Sequence, residues 1–293
     1  PNAMREMVNY AFGTNFYYYR ENYTGSGDIP NGIISRYPIL ASGSWADVLQ
    51  SQPNRGFAWA RIDLPGTNDL YVVCVHLLSG AGATARASEA TNLVALIQQN
   101  FPANAMVIVA GDFNSDTRGE TCVTTLKTIL SDNKVPTDQG GDPDTNAGRL
   151  KPFDYVLPSF SLTNFQVTTV INANNFPNGL VFDSRVYTSL ADVSPVVSTD
   201  SGAASMQHMG VIKDFKFSYT VTNFVTVTSP KLSLITTNVI RWPGVSNVTY
   251  SVQKSSTLTS WTNVGSVTST TTNFGYTNAG ANTNQLFYRV TYP

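Results

Sequence analysis

Ala105-Met-Val-Ile-Val-Ala-Gly-Asp-Phe-Asn114 is the most informative stretch of this 293-residue chain. Met106 to Ala110 form an apolar run rich in β-branched side chains, which is typical of a strand buried on both faces of a sheet. Gly111 predicts a turn out of that strand, so that Asp112 and Asn114 are presented in a loop on a rigid support. A carboxylate and an amide at this spacing can orient a water, bind a cation or contact a phosphoryl oxygen, although Asp and Asn also favour plain turns.

The chain contains only two histidines, and each lies beside another apolar strand. The strand predicted from Leu70 to Leu77 carries His76 at its end, and His208 precedes a further strand. The segment Lys151–Leu157 begins a fourth strand with Asp154. A single histidine at a strand end is usually structural. A set of polar side chains at four strand ends is more specific, and it predicts that five residues converge on one cleft: His76, Asp112, Asn114, Asp154 and His208.

These segments resemble, in their order and spacing over residues 1 to about 217, the endonuclease/exonuclease/phosphatase superfamily, which includes deoxyribonuclease I and neutral sphingomyelinases. The matching pieces are Asn31-Gly-Ile-Ile-Ser-Arg-Tyr-Pro-Ile39, Val75-His76-Leu77, Gly111-Asp112-Phe113-Asn114, Phe153-Asp154-Tyr155-Val156-Leu157 and Gln207-His208. The resemblance implies an α+β fold, a four-layered α/β/β/α sandwich. It also implies the cleavage of phosphoesters with Mg²⁺ or another divalent cation.

The resemblance implies a catalytic role for each of the five residues. Asp112 would orient or deprotonate the attacking water, and Asn114 would contact the phosphate. Asp154 would pair with His208, because a carboxylate fixes the orientation of an imidazole and favours its protonated form. His208 would then act as a base or stabilise a phosphorane oxygen, and His76 would bind or protonate the departing or a non-bridging oxygen.

Two departures from the family pattern concern the metal. The chain starts at Pro1, and the resemblance places this start just downstream of the family's N-terminal Asn strand and of its Leu-Gln-Glu block, whose Glu is the family's main metal ligand. Gln207 stands where the family has the Asp of Ser-Asp-His. Because Mg²⁺ prefers charged oxygen ligands, we expect Asp112 and Gln207 to bind it weakly. Two functions therefore stay open: a metal-dependent phosphodiesterase or nuclease-like hydrolase, and a catalytically degenerate protein that retains the fold for binding or assembly.

The charge of the first part of the chain bears on the substrate. A nuclease usually carries a basic stripe along the phosphate backbone, whereas residues 1–218 contain 14 basic and 19 acidic residues, a net charge of −5. Arg149 and Lys151 form a local cluster that either binds one phosphate or is simply solvated. The predicted partner is a phosphoester: nucleic acid, a small phosphodiester or a phospholipid headgroup. The segment from Pro136 to Gly148, beside Asp154, is either a mobile gating loop or a plain surface loop.

A break in composition predicts a second domain. Residues 219–293 contain no Asp or Glu and four basic residues, a net charge of +4. We therefore predict a first domain over 1–218, a linker over 219–230 and an accessory domain over 231–293. The segments of the accessory domain that alternate like strands are Asn238–Trp242, Val248–Gln253, Trp261–Val264 and Leu286–Val290.

This second domain is predicted to be a small antiparallel β-sandwich, and it resembles the fibronectin- or immunoglobulin-like modules of secreted bacterial enzymes. Trp242, Trp261 and Tyr288 are interpreted as core residues rather than as a ligand platform, because aromatic side chains dominate small sandwich cores. A cationic face would suit an anionic polymer or cell surface.

The remaining features concern location and assembly. A charged fraction of 13% is low for a soluble protein and fits a secreted or periplasmic protein, with no apolar stretch long enough to cross a membrane. The start at Pro1 is interpreted as processed, truncated or incomplete. If strands are missing there, an unpaired sheet edge would favour self-association. Cys74 and Cys122 form either one disulfide or two buried free thiols.

Overall fold

The computed structural model describes residues 2–22, 29–47, 56–65, 69–80, 82–217, 239–244, 246–277 and 287–291. The chain divides into two units, unit 1 over Pro1–Tyr219 and unit 2 over Thr220–Pro293. The predicted linker, residues 219–230, lies outside the described residues.

The described part of unit 1 contains three α-helices and thirteen strands. The α-helices are α1 Asn2–Phe12, α2 Ala83–Asn100 and α3 Thr121–Leu126. The strands are β1 Tyr17–Arg20, β2 Gly32–Ser35, β3 Ile39–Trp45, β4 Phe57–Ile62, β5 Leu70–His76, β6 Met106–Asp112, β7 Asp154–Pro158, β8 Gln166–Val167, β9 Thr169–Ile171, β10 Asn174–Phe176, β11 Leu180–Phe182, β12 Gly210–Ile212 and β13 Asp214–Phe215. Short 3₁₀ helices cover Thr163–Phe165, Leu190–Val193 and Asp200–Gly202.

A five-stranded mixed sheet, in the order β3-β4-β5-β6-β7, organises unit 1. Only β5 and β6 are parallel, and α2 lies between them in the chain, as parallel neighbours require a crossover connection. The register pairs His76 with Asp112, and Asp112 in turn with Asp154. The pairing of β5, β6 and β7 therefore places these three residues in one row across the ends of the strands.

Both faces of β6 are covered, which explains why this strand shows no polar alternation. Val107 and Val109 pack into a core cluster with Leu93 of α2 and Leu126 of α3. Met106, on the opposite face, packs into a second cluster with Ile33 and Leu162. Apolar burial on both sides of one strand fixes the sheet between two layers.

Besides the five-stranded sheet, the described part of unit 1 contains short strand pairs, and β2 and β13 contribute Ile33 and Phe215 to the cluster on the second face of that sheet. These pairs are β1–β2, β8–β13, β9–β10 and β11–β12. The structure thus shows a mixed α+β sandwich, while a continuous second sheet, as predicted for four full layers, is not formed by the part of the chain that is described.

Gly111 lies inside β6 rather than after it, which differs from the turn predicted there. Its φ is +138°, a conformation that favours glycine. A Cβ atom at this position would lie 2.0 Å from the Val75 carbonyl oxygen of the neighbouring strand. Glycine therefore allows the close approach of β5 that carries His76 to its position beside Asp112.

Unit 2 contains strands in its described part. They are β14 Val239–Pro243, β15 Thr249–Ser255, β16 Thr262–Thr268, β17 Asn273–Thr277 and β18 Phe287–Thr291. Trp242, Val252 and Phe274 form the buried cluster of this unit, and Tyr288 packs against it. Trp261 is half-buried beneath the guanidinium of Arg289, 4.5 Å from the ring centroid, and so it differs from the core residue predicted there.

Two further observations bear on the sequence predictions. Cys74 and Cys122 are both free thiols rather than a disulfide. No helix of the described segments combines the length and the apolarity needed to span a membrane.

Candidate active site

One pocket of about 550 Å³ collects four of the five predicted catalytic residues: His76, Asp112, Asn114 and His208. The fifth, Asp154, contacts His208 directly. The strand register accounts for this arrangement, because β5 and β6 end at the same edge of the sheet and antiparallel β7 begins there. The convergence predicted from the strand ends is therefore what the geometry shows.

Asp154 and His208 form a hydrogen-bonded pair with 2.9 Å between Oδ2 and Nδ1. The Thr145 hydroxyl also donates to Oδ2 of Asp154 at 2.9 Å and accepts from its backbone N–H at 2.7 Å. Burial raises the pKa of Asp154, whereas the hydrogen bonds from His208 and Thr145 lower it. This carboxylate is thus held in a fixed orientation toward Nδ1 of the imidazole.

The carboxylate of Asp112 lies between the two imidazoles. Its Oδ2 is 3.2 Å from Nε2 of His76 and 3.7 Å from Nε2 of His208. The Asp112 side chain is only 12% exposed. In a site so little exposed to water, the charge of a carboxylate attracts nearby proton donors more strongly than it does in bulk water. The pocket therefore places one imidazole nitrogen on each side of the Asp112 carboxylate.

Asn114 is tied to both neighbouring loops. Its backbone has φ +49°, a left-handed conformation that Asn tolerates better than most residues. Its backbone N–H donates to Oδ1 of Asp112 at 2.7 Å, and its side-chain Nδ2 donates to the Leu77 carbonyl oxygen at 2.8 Å. The amide is consequently fixed against the segment that follows His76.

Several residues of the site were not identified from the sequence. Thr145 is fully buried and holds Asp154, and its carbonyl oxygen accepts from Met209 N. Ala147 donates its backbone N–H to Gln207 O, so residues 145–147 and 207–209 are joined on both sides of His208. These two hydrogen bonds join the end of the Pro136–Gly148 segment to the segment that contains His208. Additional pocket-lining residues are Ile29, Ser79, Asn146, Gly148, Phe153 and Met206.

The structure does not bring Arg149 and Lys151 into this pocket. The Arg149 guanidinium donates to Asp138 Oδ2 at 2.6 Å and lies 3.4 Å from Asp142. Lys151 pairs with Asp116 at 2.5 Å. These carboxylates compensate the positive charge of Arg149 and of Lys151. Gln207, by contrast, lines the pocket.

The loop after β5 is held by two side chains of helix α2. The Arg86 guanidinium donates to the carbonyl oxygens of Leu78 and Gly80 at 3.0 and 2.8 Å. The Glu89 carboxyl accepts from the Leu78 N–H at 3.0 Å and also forms a hydrogen bond with Asp47. Burial, and to a smaller extent the hydrogen bond and the charge of Asp47, raise the pKa of Glu89 to about 8. At neutral pH Glu89 therefore carries a proton that it can donate to Asp47.

Replacing Glu89 by Gln should change how stability depends on pH. The folded pKa of Glu89, about 8, lies above its ordinary value of 4.5, so the folded state binds a proton that the unfolded state releases in this range. The stabilisation that the bound proton contributes is complete below about pH 4.5 and is lost as the pH rises through about 8. Between these two values the free energy of unfolding falls by about 1.4 kcal/mol per pH unit. Thermal unfolding from pH 4 to 9 should show Glu89→Gln gaining on the wild type as pH rises. A constant difference across this range would contradict the assignment.

Asp112, Asp154 and His208 bring together atoms of the kind that can bind a divalent cation. Oxygen atoms of Asp112 and Asp154 and a nitrogen of His208 all lie within 4.8 Å of one another. By distance and type this set fits a divalent cation, although Mg²⁺ prefers oxygen ligands. Oδ2 of Asp154 already accepts from His208 and Thr145, so cation binding there competes with the Asp154–His208 pair.

Solved structures of known proteins resemble this chain at low sequence identity. The chain is similar to sphingomyelinase C from Streptomyces griseocarneus, with 19% identity and a TM-score of 0.36 over 50% of this chain and 63% of that one. It is also similar to an endonuclease/exonuclease/phosphatase family protein from Leptotrichia buccalis, with 16% identity and a TM-score of 0.43 over 73% and 77% of the two chains. A mannosyl-6-phosphatase from Bacteroides thetaiotaomicron shows 15% identity and a TM-score of 0.44 over 60% and 78%.

The chain spans less than two thirds of the length of the sphingomyelinase C that it matches. Among curated proteins, none matches it significantly. The model of the Endonuclease/Exonuclease/phosphatase family matches residues 2–189, which is well over half of the chain. This protein therefore belongs to the endonuclease/exonuclease/phosphatase family.

Proposed function

We propose that this chain hydrolyses phosphoesters in the pocket formed by His76, Asp112, Asn114 and His208. The observation that carries the proposal is the Asp154–His208 hydrogen bond of 2.9 Å beside the carboxylate of Asp112. An imidazole oriented by a carboxylate is suited to taking a proton from water and returning it later. Membership of the family supports the same reaction type.

The chemistry assigned to the residues follows from their contacts. Asp112 accepts a hydrogen bond from the attacking water and orients it, and His208 removes its proton through Nε2 while Asp154 fixes the ring through Nδ1. The water oxygen forms a bond to phosphorus as the ester oxygen departs. His76, 3.2 Å from Asp112, donates a hydrogen bond or a proton to the departing or a non-bridging oxygen. Such in-line displacement depends mainly on positioning and electrostatic stabilisation.

A small phosphoester fits the pocket better than a nucleic acid. Its lining includes no Lys or Arg among the described residues, whereas proteins that bind nucleic acid place cations along the phosphate backbone. Ile29, Phe153 and Met206 give the pocket an apolar side. We therefore favour a small phosphodiester, a phosphomonoester or a phospholipid headgroup as the substrate.

A divalent cation belongs to the proposal as a weakly bound cofactor. Asp112 would hold it with the side-chain oxygen of Gln207, because Asp154 and His208 are engaged with each other, and it would supply neutralisation of negative charge on the phosphoryl oxygens. Gln207 lines the same pocket with a neutral amide where a carboxylate would bind the cation more tightly.

The expected affinity for Mg²⁺ is accordingly low. Titration calorimetry should detect weak binding, with a Kd of about 10⁻³ M or above, that Asp112→Asn weakens further. Gln207→Asp should tighten binding because it adds a charged oxygen ligand to the pocket. A tight stoichiometric Mg²⁺ site in the wild-type chain would contradict this ligand assignment.

Unit 2 is proposed to be an accessory β-sandwich over residues 231–293, of the kind carried by secreted or periplasmic enzymes. Its strand pairs and the cluster around Trp242 support this. Arg289 stacked on Trp261, together with the absence of acidic residues from 219–293, supports binding to an anionic polymer or surface.

β3 is the last strand of the five-stranded sheet in unit 1 among the described residues, which supports self-association through that edge.

The proposed activity is tested with the full chain on a panel of substrates: bis(p-nitrophenyl) phosphate, p-nitrophenyl phosphate, phospholipid vesicles, and single- and double-stranded DNA. Each substrate is assayed with Mg²⁺, with Mn²⁺ and with a chelator. Slow hydrolysis of a small phosphoester or a phospholipid, reduced by the chelator, is the expected result. If none of these substrates is hydrolysed, the proposed enzymatic activity is rejected in favour of the binding or assembly function.

A further inference from the structure

Arg86 has an environment that hydrophobic packing does not explain. Its side chain is fully buried, yet its guanidinium makes four hydrogen bonds. Two of them go to the carbonyl oxygens of Leu78 and Gly80. The other two go to both carboxylate oxygens of Glu120, at 2.6 and 3.0 Å. A planar guanidinium is well suited to such two-sided bidentate contacts.

The two sides of Arg86 belong to different loops of the pocket. Leu78 and Gly80 follow His76 at the end of β5, and Glu120 closes the loop that begins with Asn114 at the end of β6. Glu120 also accepts from the backbone N–H of Asp116 at 2.9 Å, within that same loop. A single buried side chain therefore joins the loop after β5 to the loop after β6.

Glu89 strengthens the same connection. It lies three residues after Arg86, on the same side of α2, and accepts from the Leu78 N–H. The peptide groups of Leu78 are thus bound on both sides, at N–H by Glu89 and at C=O by Arg86. The adjacent Leu77 carbonyl oxygen accepts from the side chain of Asn114, so a shift of this loop is transmitted directly to the pocket.

We propose that Arg86, Glu89 and Glu120, here called the loop clamp, are positioning residues that hold His76 and Asn114 at their spacing from Asp112. The inference rests on the proposed function. None of the three residues lines the pocket, so they act through the two loops and not on a substrate. Misplacement of a reacting group by about 1 Å can cost about 10²-fold in rate, which makes such a clamp important for turnover.

The variants that test the loop clamp separate charge from geometry. Arg86→Lys keeps the positive charge and loses the planar fork, and it should lower kcat about 10–100-fold with a smaller change in KM. Glu120→Gln removes the negative charge that pairs with Arg86 and should also lower kcat. Glu89→Ala removes the acceptor for Leu78 N–H, whereas Glu89→Gln retains one and should recover most of the turnover lost in Glu89→Ala.

The second measurement does not depend on activity. Because the chain contains only two histidines, ring ¹⁵N labelling gives one set of imidazole resonances for His76 and one for His208, assigned with His208→Ala. Arg86→Lys and Glu89→Ala should shift or broaden the His76 resonances. The His208 resonances should change less, since that ring is held by Asp154, which Thr145 in turn holds.

Two control variants separate positioning from a general loss of stability. Leu162→Ala opens a cavity in the second core cluster, away from the loop clamp, and Arg61→Lys alters an arginine–carboxylate pair with Asp69. Both should leave the His76 resonances unchanged, even where the melting temperature falls as far as in Arg86→Lys.

The outcomes distinguish this inference from the proposed function. Unchanged His76 resonances and turnover in a folded Arg86→Lys and in Glu89→Ala overturn the loop clamp. If Arg86→Lys does not fold, Glu89→Ala and its rescue by Glu89→Gln decide. A wild-type chain without activity on any phosphoester defeats the proposed function, while the resonances of His76 still report whether the clamp holds the loop.

Discussion

Replacing His208 by Ala should lower the turnover of a small phosphodiester by about 10²–10⁴-fold. The expected loss is large because the variant removes the ring that Asp154 orients at 2.9 Å, and with it the proposed base. His208 is about one-third exposed, so the folded state should survive the change. Steady-state kinetics with bis(p-nitrophenyl) phosphate measures kcat and KM, and the loss should fall on kcat.

Chemical rescue makes this experiment specific. Imidazole added to His208→Ala should restore part of the lost turnover, because a free base can enter the space that the ring leaves. Asn175→Ala, an exposed position of the same unit, serves as the control and should change neither kcat nor KM. Turnover of His208→Ala equal to that of the wild type would remove His208 from the mechanism.

Asp154→Asn is expected to lower turnover by up to about 10⁴-fold, although it hardly changes the shape of the side chain. The carboxylate oxygen accepts from Nδ1 of His208, and an amide in its place can donate to that nitrogen instead. The tautomer would then carry its proton on Nε2, the atom that has to accept one. Thr145 would still hold the side chain through its hydroxyl, so orientation alone would be largely retained.

The double variant tests whether Asp154 acts through His208. Because the two residues work as a unit, Asp154→Asn combined with His208→Ala should be no slower than His208→Ala alone. Asp69→Asn, which alters a carboxylate paired with Arg61 outside the pocket, is the matched control. Fully multiplicative losses in the double variant would show that Asp154 contributes independently of His208.

The sequence predicts the parts of this site that depend on local pattern. β6 could be identified from its continuous apolar run, and Asp112 and His76 from their positions at strand ends. Parallel β5 and β6 then have to bring these two residues to the same edge of the sheet. The chemistry of the residues and their order along the chain were sufficient for this step.

Contacts between distant segments could not be predicted in this way. Thr145 lies in a stretch without periodic pattern, and only the folded chain brings its hydroxyl to Asp154. The sequence leaves open whether Arg149 binds a phosphate or is solvated, because its carboxylate partners, Asp138 among them, are defined by tertiary structure. Arg86 meets Glu120 across 34 residues of sequence, and a single buried arginine in a helix gives no sign of such a partner.

The row formed by His76, Asp112 and Asp154 makes turnover a measure of correct strand pairing. Successive side chains of a strand point to opposite faces, so a slip of β6 by one residue would direct Asp112 into the wrong layer while leaving the strand content unchanged. Circular dichroism would not distinguish such molecules from native ones. The specific activity of a refolded sample, relative to one purified directly in the native state, would therefore count the fraction of molecules in which β6 has found its proper alignment.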